Sequence, residues 1–262
     1  MSRLATDLIH PSAVVHPGAR LGASVRVGPY CIIGGEVEIE EGCELIANIY
    51  MEGPLRVGPG NRFFPYSSIG VAPQDKKFHG ERTETVIGRE NTIREFVTVH
   101  RGTELGGGVT RIGDHNLIMA YAHIAHDCSV GNHTVLANGV TLGGHVTIED
   151  YAVLGAFCGI HQFCRIGRYS LAGAYTPINQ DVLPFSMTTL GREAKVYGIN
   201  KVGLERLGFS AERRQKLTRA LRLLSRLNTS QALEKIREEA ADSKDLRELV
   251  RFVESSERGI VK

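Results

Sequence analysis

Between Ile112 and Ile178 every sixth residue is apolar: Ile112, Ile118, Ile124, Val130, Leu136, Leu142, Ile148, Leu154, Ile160, Ile166, Ala172 and Ile178. Twelve successive hits fit neither a helix period of 3.6 nor the alternation of a half-buried strand. A period of six over this length is the signature of a parallel β-helix built from hexapeptides. Gly113, Gly131, Gly143, Gly155, Gly167 and Gly173 follow the apolar position and mark expected tight corners. The same rhythm runs from Ile9 through Val15, Leu21 and Val27 to Phe63 and Ile69, and resumes at Ile87, Ile93 and Val99. Two polar stretches interrupt it, at about residues 70–86 and 100–111, and the second shifts the register by one residue before Ile112. Loops on a solenoid tend to lie on one side and carry function.

Three hexads make one triangular coil, so residues 18 apart should stack about 4.8 Å from one another, as neighbouring strands do. The hexads starting at Ile124, Leu142 and Ile160 then share a face, and His126 stacks on Gly144 and Gln162. His145 and His161 lie within a position or two of that column, and His123 closes the preceding face. Each coil is covered only by its neighbours, so the open ends need caps, one of them expected from the N-terminal segment.

After Ile178 the rhythm stops, Pro184 marks the exit, and from about Lys195 the pattern reads as helical. Ser210 can cap a helix running to about Leu227, with Leu217, Leu221, Leu224 and Leu227 on one face. Thr229 or Ser230 can start a second helix, and Ser243 a third that ends before Gly259. The expected organisation is a β-helix over residues 1–190 and an α-helical domain over 191–262.

Composition narrows the function. A net charge of +2 demands neither nucleic acid nor an anionic membrane as partner. From Arg192 onward 17 Lys and Arg stand against 11 Asp and Glu, while the preceding part holds 14 against 18, so charge is segregated. Five cysteines without a CxxC pair suggest reduced thiols. With no secretory pattern at the start and no apolar run of transmembrane length, a cytoplasmic location is expected. The triple glycine at 106–108 is not a phosphate-binding Walker loop, since no GK[ST] follows.

The histidine edge admits three readings on the residues alone. In acyl transfer, His126 is the general base, Asp127 or a carbonyl orients it, and Gly144 offers its N–H to an oxyanion. A zinc hydratase would instead use His123, His126 and His145 as ligands, completed across a trimer. The third reading is a scaffold whose histidines only bridge coils. In the first loop Gln74, Asp75, Lys76 and Lys77 suit a polar, anionic ligand.

The run NLIMAYAHIAHDCSVGNHTVLANGVTLGGHV, then GIHQFCRIG, closely resembles the UDP-N-acetylglucosamine 3-O-acyltransferases of lipid A biosynthesis. IHPSAVVHPGA, QDKK, GERT, TVHRGT and GINKVGLERLGFS extend the resemblance over essentially the whole chain. It implies a left-handed parallel β-helix with a small helical domain, assembled as a homotrimer. It also implies transfer of an (R)-3-hydroxyacyl group from acyl carrier protein to the 3-hydroxyl of UDP-N-acetylglucosamine, with no metal or dissociable cofactor. By motif, His126 matches the base, Asp127 its partner and Gly144 the oxyanion donor. Gln74, Asp75, Lys77, His123, His145, His161, Gln162, Asn200 and Arg206 match substrate contacts, and Gly173 with Ala174 the acyl groove. Where some relatives carry a second basic residue, this chain has Leu207. Lys216, Arg219, Arg222 and Arg226 recur at helical spacing and form a basic stripe suited to an acidic carrier protein.

Overall fold

The structure, a computed structural model, describes residues 8–190 and 194–262. The expected N-terminal cap and the 190/191 boundary fall partly outside the described residues. Strands mostly two residues long wind into a three-faced parallel β-helix. Face 1 has nine strands, from Val14–Val15 to Pro177–Ile178, and face 2 has eight, from Arg20–Leu21 to Arg165–Ile166. Face 3 has ten and begins at Arg26–Val27. Ile124 pairs with Leu142 and Leu142 with Ile160, the vertical register that the period of six predicts. The inward residues of these coils are buried, as at Ile118, Ile124 and Val130.

Both interruptions are insertions between face 1 and face 2. The first leaves Ser68–Val71 and rejoins at Glu84–Ile87. Ile69 accordingly pairs with Val99, and coils there lie 30 residues apart, as at Asn61 and Asn91. The second joins Thr98–His100 to Val109–Ile112, and Thr98 meets His123, 25 residues on. The second insertion is therefore a seven-residue excess over the regular coil of 18, one hexad plus the one-residue shift of register read from the sequence.

The corners correct the expected part played by glycine. Left-handed backbone falls on the third corner residue, which is usually not glycine: Tyr121, Asp127, His133, His145, Tyr151 and Phe163 all have φ between 55° and 67°. Most first-position glycines sit where a Cβ would be crowded, Gly173 excepted, whose Cβ would meet nothing nearer than 3.6 Å. A Cβ on Gly155 would stand 2.5 Å from the Ala174 nitrogen in the next coil. The cost of the left-handed residues, about 1–2 kcal/mol each, is offset where their rings stack. His115, His133, Tyr151, Tyr169 and Phe185 form one column at centroid spacings of 4.8, 4.8, 5.1 and 5.6 Å.

The chain does not turn helical at Lys195. Ala194–Ile199 is a strand, antiparallel to Ser186–Leu190, which itself extends face 3 beside Leu171–Ala172. Alternating exposure, with Lys195 and Tyr197 outward, is what a strand on a half-covered face requires. Helix α1 (Lys201–Arg206) follows, capped by Asn200. Helix α2 (Ala211–Arg226) is capped by Ser210, α3 (Thr229–Ala240) by Asn228, and α4 (Lys244–Glu254) by Ser243. Leu217, Leu221 and Leu224 of α2 pack with Leu183 and Phe185 from the end of the β-helix. The last residues return to that end: Ile260 bridges Asp181, and Val261 joins the β-helix core.

Inside one corner runs a buried amide ladder. Asn61 Oδ1 accepts from Asn91, Asn91 Oδ1 from the Asn116 N–H, and Asn116 Oδ1 from the Thr134 N–H and hydroxyl. Asn116 also donates to the Gly131 carbonyl. Asn116→Leu strands several buried polar groups and should lower unfolding free energy by roughly 3 kcal/mol, read from urea denaturation.

Candidate active site

Both insertions emerge at the edge between faces 1 and 2, and the histidines gather at the same edge. Asp127 closes the corner after His126, with its side chain wholly buried. Its carboxylate accepts from the Thr103 N–H (2.9 Å), the Thr103 hydroxyl (2.6 Å) and His126 Nδ1 (2.8 Å). Its own N–H donates to Thr110 Oγ1 at 2.8 Å. The second insertion thus supplies Thr103 and lies against the carboxylate so closely that a Cβ on Gly106 would sit 2.1 Å from Asp127 Cγ.

With Nδ1 committed to Asp127, Nε2 of His126 is left for other work. One coil on, the ring faces Gly144, where a Cβ would be 2.6 Å from Cε1 and 2.8 Å from Nε2. The Gly144 N–H donates to no protein group among the described residues. His145 stands edge-on to His126 at 5.1 Å and face to face with Phe163 at 4.5 Å. Burial lowers the His145 pKa, while the Asp127 and Asp75 carboxylates act against that shift.

His123 Nδ1 is 2.7 Å from Thr98 Oγ1, and its ring meets His100 edge-on at 4.8 Å. His100 is buried, and its Nδ1 accepts from the Gln74 N–H at 3.3 Å, which ties the first insertion to the edge. Burial, with smaller contributions from His123 and His126, brings the His100 pKa down to about 4; burial also lowers that of His123. Arg101 pins the same insertion through Glu52 at 2.8 Å and the Gly70 carbonyl at 3.1 Å, with its guanidinium over Phe78. From Gly143 and Gly144 a groove of 620 Å³ runs down face 1 over Gly159, Ile160, Pro177 and Ile178.

His126, Asp127 and His145 are close enough to share a metal ion. That set is not the three-histidine one expected from the sequence. Asp127 already accepts three hydrogen bonds, so it is a poor donor to a cation.

Comparison with known proteins adds the family. The C-terminal domain of UDP-N-acetylglucosamine O-acyltransferases matches residues 181–261, and the bacterial transferase hexapeptide repeat matches 110–144. The acyl-[acyl-carrier-protein]–UDP-N-acetylglucosamine O-acyltransferase of Halorhodospira halophila is 50% identical, over 97% of this chain and 99% of its own. That of Thermodesulfovibrio yellowstonii is 45% identical, over 96% and 98%. The solved structure of LpxA from Acinetobacter baumannii superposes with a TM-score of 0.95 at 41% identity, covering 98% of this chain and 100% of that one. The Francisella novicida UDP-N-acetylglucosamine acyltransferase gives 0.94 at 40%, over 97% and 93%. The chain belongs to this UDP-N-acetylglucosamine O-acyltransferase family.

Family membership also gives the hand of the β-helix, which is left. This is the rare exception to right-handed crossovers. Of the residues that the family resemblance nominates, His126, Asp127, Gly144, His145, His161 and Gln162 lie on one edge, with His123 on the face 1 strand that leads into it and Gln74, Asp75 and Lys77 on the insertion beside it. Others lie elsewhere on the same prism. Gly173 and Ala174 sit on the edge between faces 3 and 1. Asn200 is buried at the opposite edge, where its side chain caps α1 and donates to the Tyr169 carbonyl at 3.0 Å. Arg206 is exposed in the last turn of α1, next to Leu207. On α2, Arg219, Arg222 and Arg226 line a cleft of 560 Å³ against α3. Two of the stripe's charges have partners: Lys216 pairs with Glu212 at 2.9 Å and Arg219 with Glu239 at 3.0 Å.

Sequence reasoning missed His100 and Thr103 as site residues, although both stand in the TVHRGT motif. His100 makes a pH prediction possible. Its folded pKa of about 4 lies below the ordinary value of about 6.5, so the unfolded chain binds more protons between the two. Stability contributed by neutral His100 is present above about pH 6.5 and is lost as pH falls toward 4. Melting temperatures between those pH values should therefore fall less steeply for His100→Phe than for the native chain.

Proposed function

We propose that this enzyme moves an (R)-3-hydroxyacyl group from acyl carrier protein to the 3-hydroxyl of UDP-N-acetylglucosamine, with His126 as general base. The observation that carries the proposal is the His126–Asp127 pair. Asp127, fixed by Thr103, holds the proton on Nδ1, which leaves the Nε2 lone pair to accept the proton of the sugar hydroxyl. The sugar oxygen attacks the thioester carbonyl, and the oxyanion that forms takes the free N–H of Gly144. Collapse expels the carrier thiolate, which takes the proton back from imidazolium. No metal ion or dissociable cofactor enters these steps.

The remaining assignments follow the site's layout. Gln74 and Asp75 meet the glucosamine and Lys77 a phosphate, on the insertion tied down by His100 and Arg101. His123, His145, His161 and Gln162 line the path of the sugar nucleotide and the acyl group. Gly173 with Ala174, Asn200 with Arg206, and the His126 edge lie on three different edges of one prism. They can serve one site only across copies, so a homotrimer with sites between subunits is part of the proposal. The exposed rings of Tyr30, Tyr66, Tyr121, Phe157 and Tyr175 along the edge of faces 3 and 1 support burial of that edge in an assembly. A cytoplasmic location is supported by five buried, unpaired cysteines, with Cys128 pushed up to about 12 by burial. Among the described residues no helix is long and apolar enough to cross a membrane.

His126→Ala should leave the assembly intact and lower turnover by about two decades or more. Equal rates from equally pure enzyme sink the assignment, and activity lost to a chelator and restored by zinc returns the hydratase reading. The basic cleft of α2 is the proposed dock for the acidic carrier protein. Reversing Arg219 and Arg222 to Glu should raise KM for the carrier, most at low salt, while KM for UDP-N-acetylglucosamine stays level. Flat values for both across ionic strength place docking elsewhere.

A further inference from the structure

The C-terminal tail does more than close the β-helix. Arg258, just before the bridge between Ile260 and Asp181, reaches back to the catalytic edge. Its Nη2 donates to the Asn179 carbonyl at 3.1 Å and stands 3.1 Å from His161 Nδ1. His161, Gln162 and Asn179 all line the groove that begins at Gly144.

His161 Nδ1 has a second neighbour at 3.1 Å, the Gln162 carbonyl oxygen. One nitrogen cannot satisfy both. With a proton it donates to Gln162 and faces the guanidinium donor to donor; without one it accepts from Arg258 and the ring proton sits on Nε2. Charge decides between them. The guanidinium does not deprotonate, and a hydrogen bond with an ionised partner is roughly twice as strong as one between neutral groups. An opposed pair of donors beside a fixed cation is therefore the worse of the two conflicts.

We infer that Arg258 is a positioning residue that locks His161 in the Nε2–H tautomer. The free ring nitrogen then becomes a hydrogen-bond donor at the groove, suited to an acceptor oxygen of the sugar nucleotide. The consequence for substrate rests on the acyltransferase reading; the tautomer itself does not. Loss of the guanidinium hands Nδ1–H to Gln162 and turns Nε2 into a bare acceptor, which repels the same oxygen.

The test uses full-length protein labelled with 15N at histidine, at about pH 8.5 where an ordinary imidazole is neutral, with His161→Gln to assign the resonances. Native protein and Arg258→Lys should show Nε2–H at His161, and Arg258→Met should show Nδ1–H. In turnover assays Arg258→Met should raise KM for UDP-N-acetylglucosamine about tenfold with kcat little changed, and Arg258→Lys should recover most of the loss. In the His161→Gln background, Arg258→Met should add nothing further to KM. An unchanged tautomer in Arg258→Met, or KM losses that multiply in the double variant, overturns the inference. If Arg258→Met does not fold, the native protein still decides, because Nδ1–H at His161 beside Arg258 refutes the lock. The tautomer is read without substrate, so failure of the native enzyme to acylate UDP-N-acetylglucosamine would count against the functional reading alone.

Discussion

An inward residue on a two-residue strand is covered by the inward residues of the other two faces and by the residues above and below it in its own stack. Ile118, Ile124 and Val130 are buried because each sits in an unbroken stack on its own face. The chain must therefore keep every inward position in register or expose a column of apolar side chains. The two insertions obey this constraint. Each leaves at an edge and returns to the next face, so that Ile69 still lies over Val99 and Val99 over Ile124. The stack must also end somewhere, and the helices, Phe185 and Val261 cover its C-terminal end.

The constraint that fixes the interior leaves the edges free for chemistry, within a set backbone path. The third corner residue is left-handed in coil after coil, and at the edge of faces 1 and 2 that position holds Asp127, His145 and Phe163 in succession. Because the coil repeat matches the thickness of a stacked ring, His145 lies flat on Phe163 at 4.5 Å. His126 occupies the second position and meets Gly144 directly across the repeat. A side chain larger than hydrogen at 144 would collide with the imidazole. The second insertion then wraps the Asp127 carboxylate, which accepts from both Thr103 and His126.

What the sequence made legible follows from this geometry. The period of six exposed the coils, their register and the histidine column, because each depends on spacing alone. The first insertion was legible only as a polar stretch at about residues 70–86: its excess is twelve residues, a whole number of hexads, so the apolar rhythm stays in phase across it. Ala194–Ile199 was misread as the start of a helix, since six residues ahead of a true helix carry too short a pattern to separate the two periods. His100 and Thr103 escaped because no period predicts a contact made by a loop folding back. The tail was equally silent, as nothing local to Arg258 points to His161, 97 residues earlier. Asn200, nominated by resemblance as a nucleotide contact, is also the cap of α1, and spacing could not distinguish a binding amide from a capping one.

The edge also has to manage its own charge. Four imidazoles within a few ångströms of one another, all cationic, would repel and would oppose protonation of whichever ring serves as base. Burial opposes this by bringing the His100 pKa down to about 4 and by lowering those of His123 and His145 as well. Of these four rings His126 alone has a carboxylate in hydrogen-bond contact, and Asp127 is placed to stabilise the imidazolium that the proposed mechanism requires. One face of the coil stack therefore separates the roles of chemically identical side chains. His100 ties down the first insertion, and the ring beside Asp127 is the one proposed as the base.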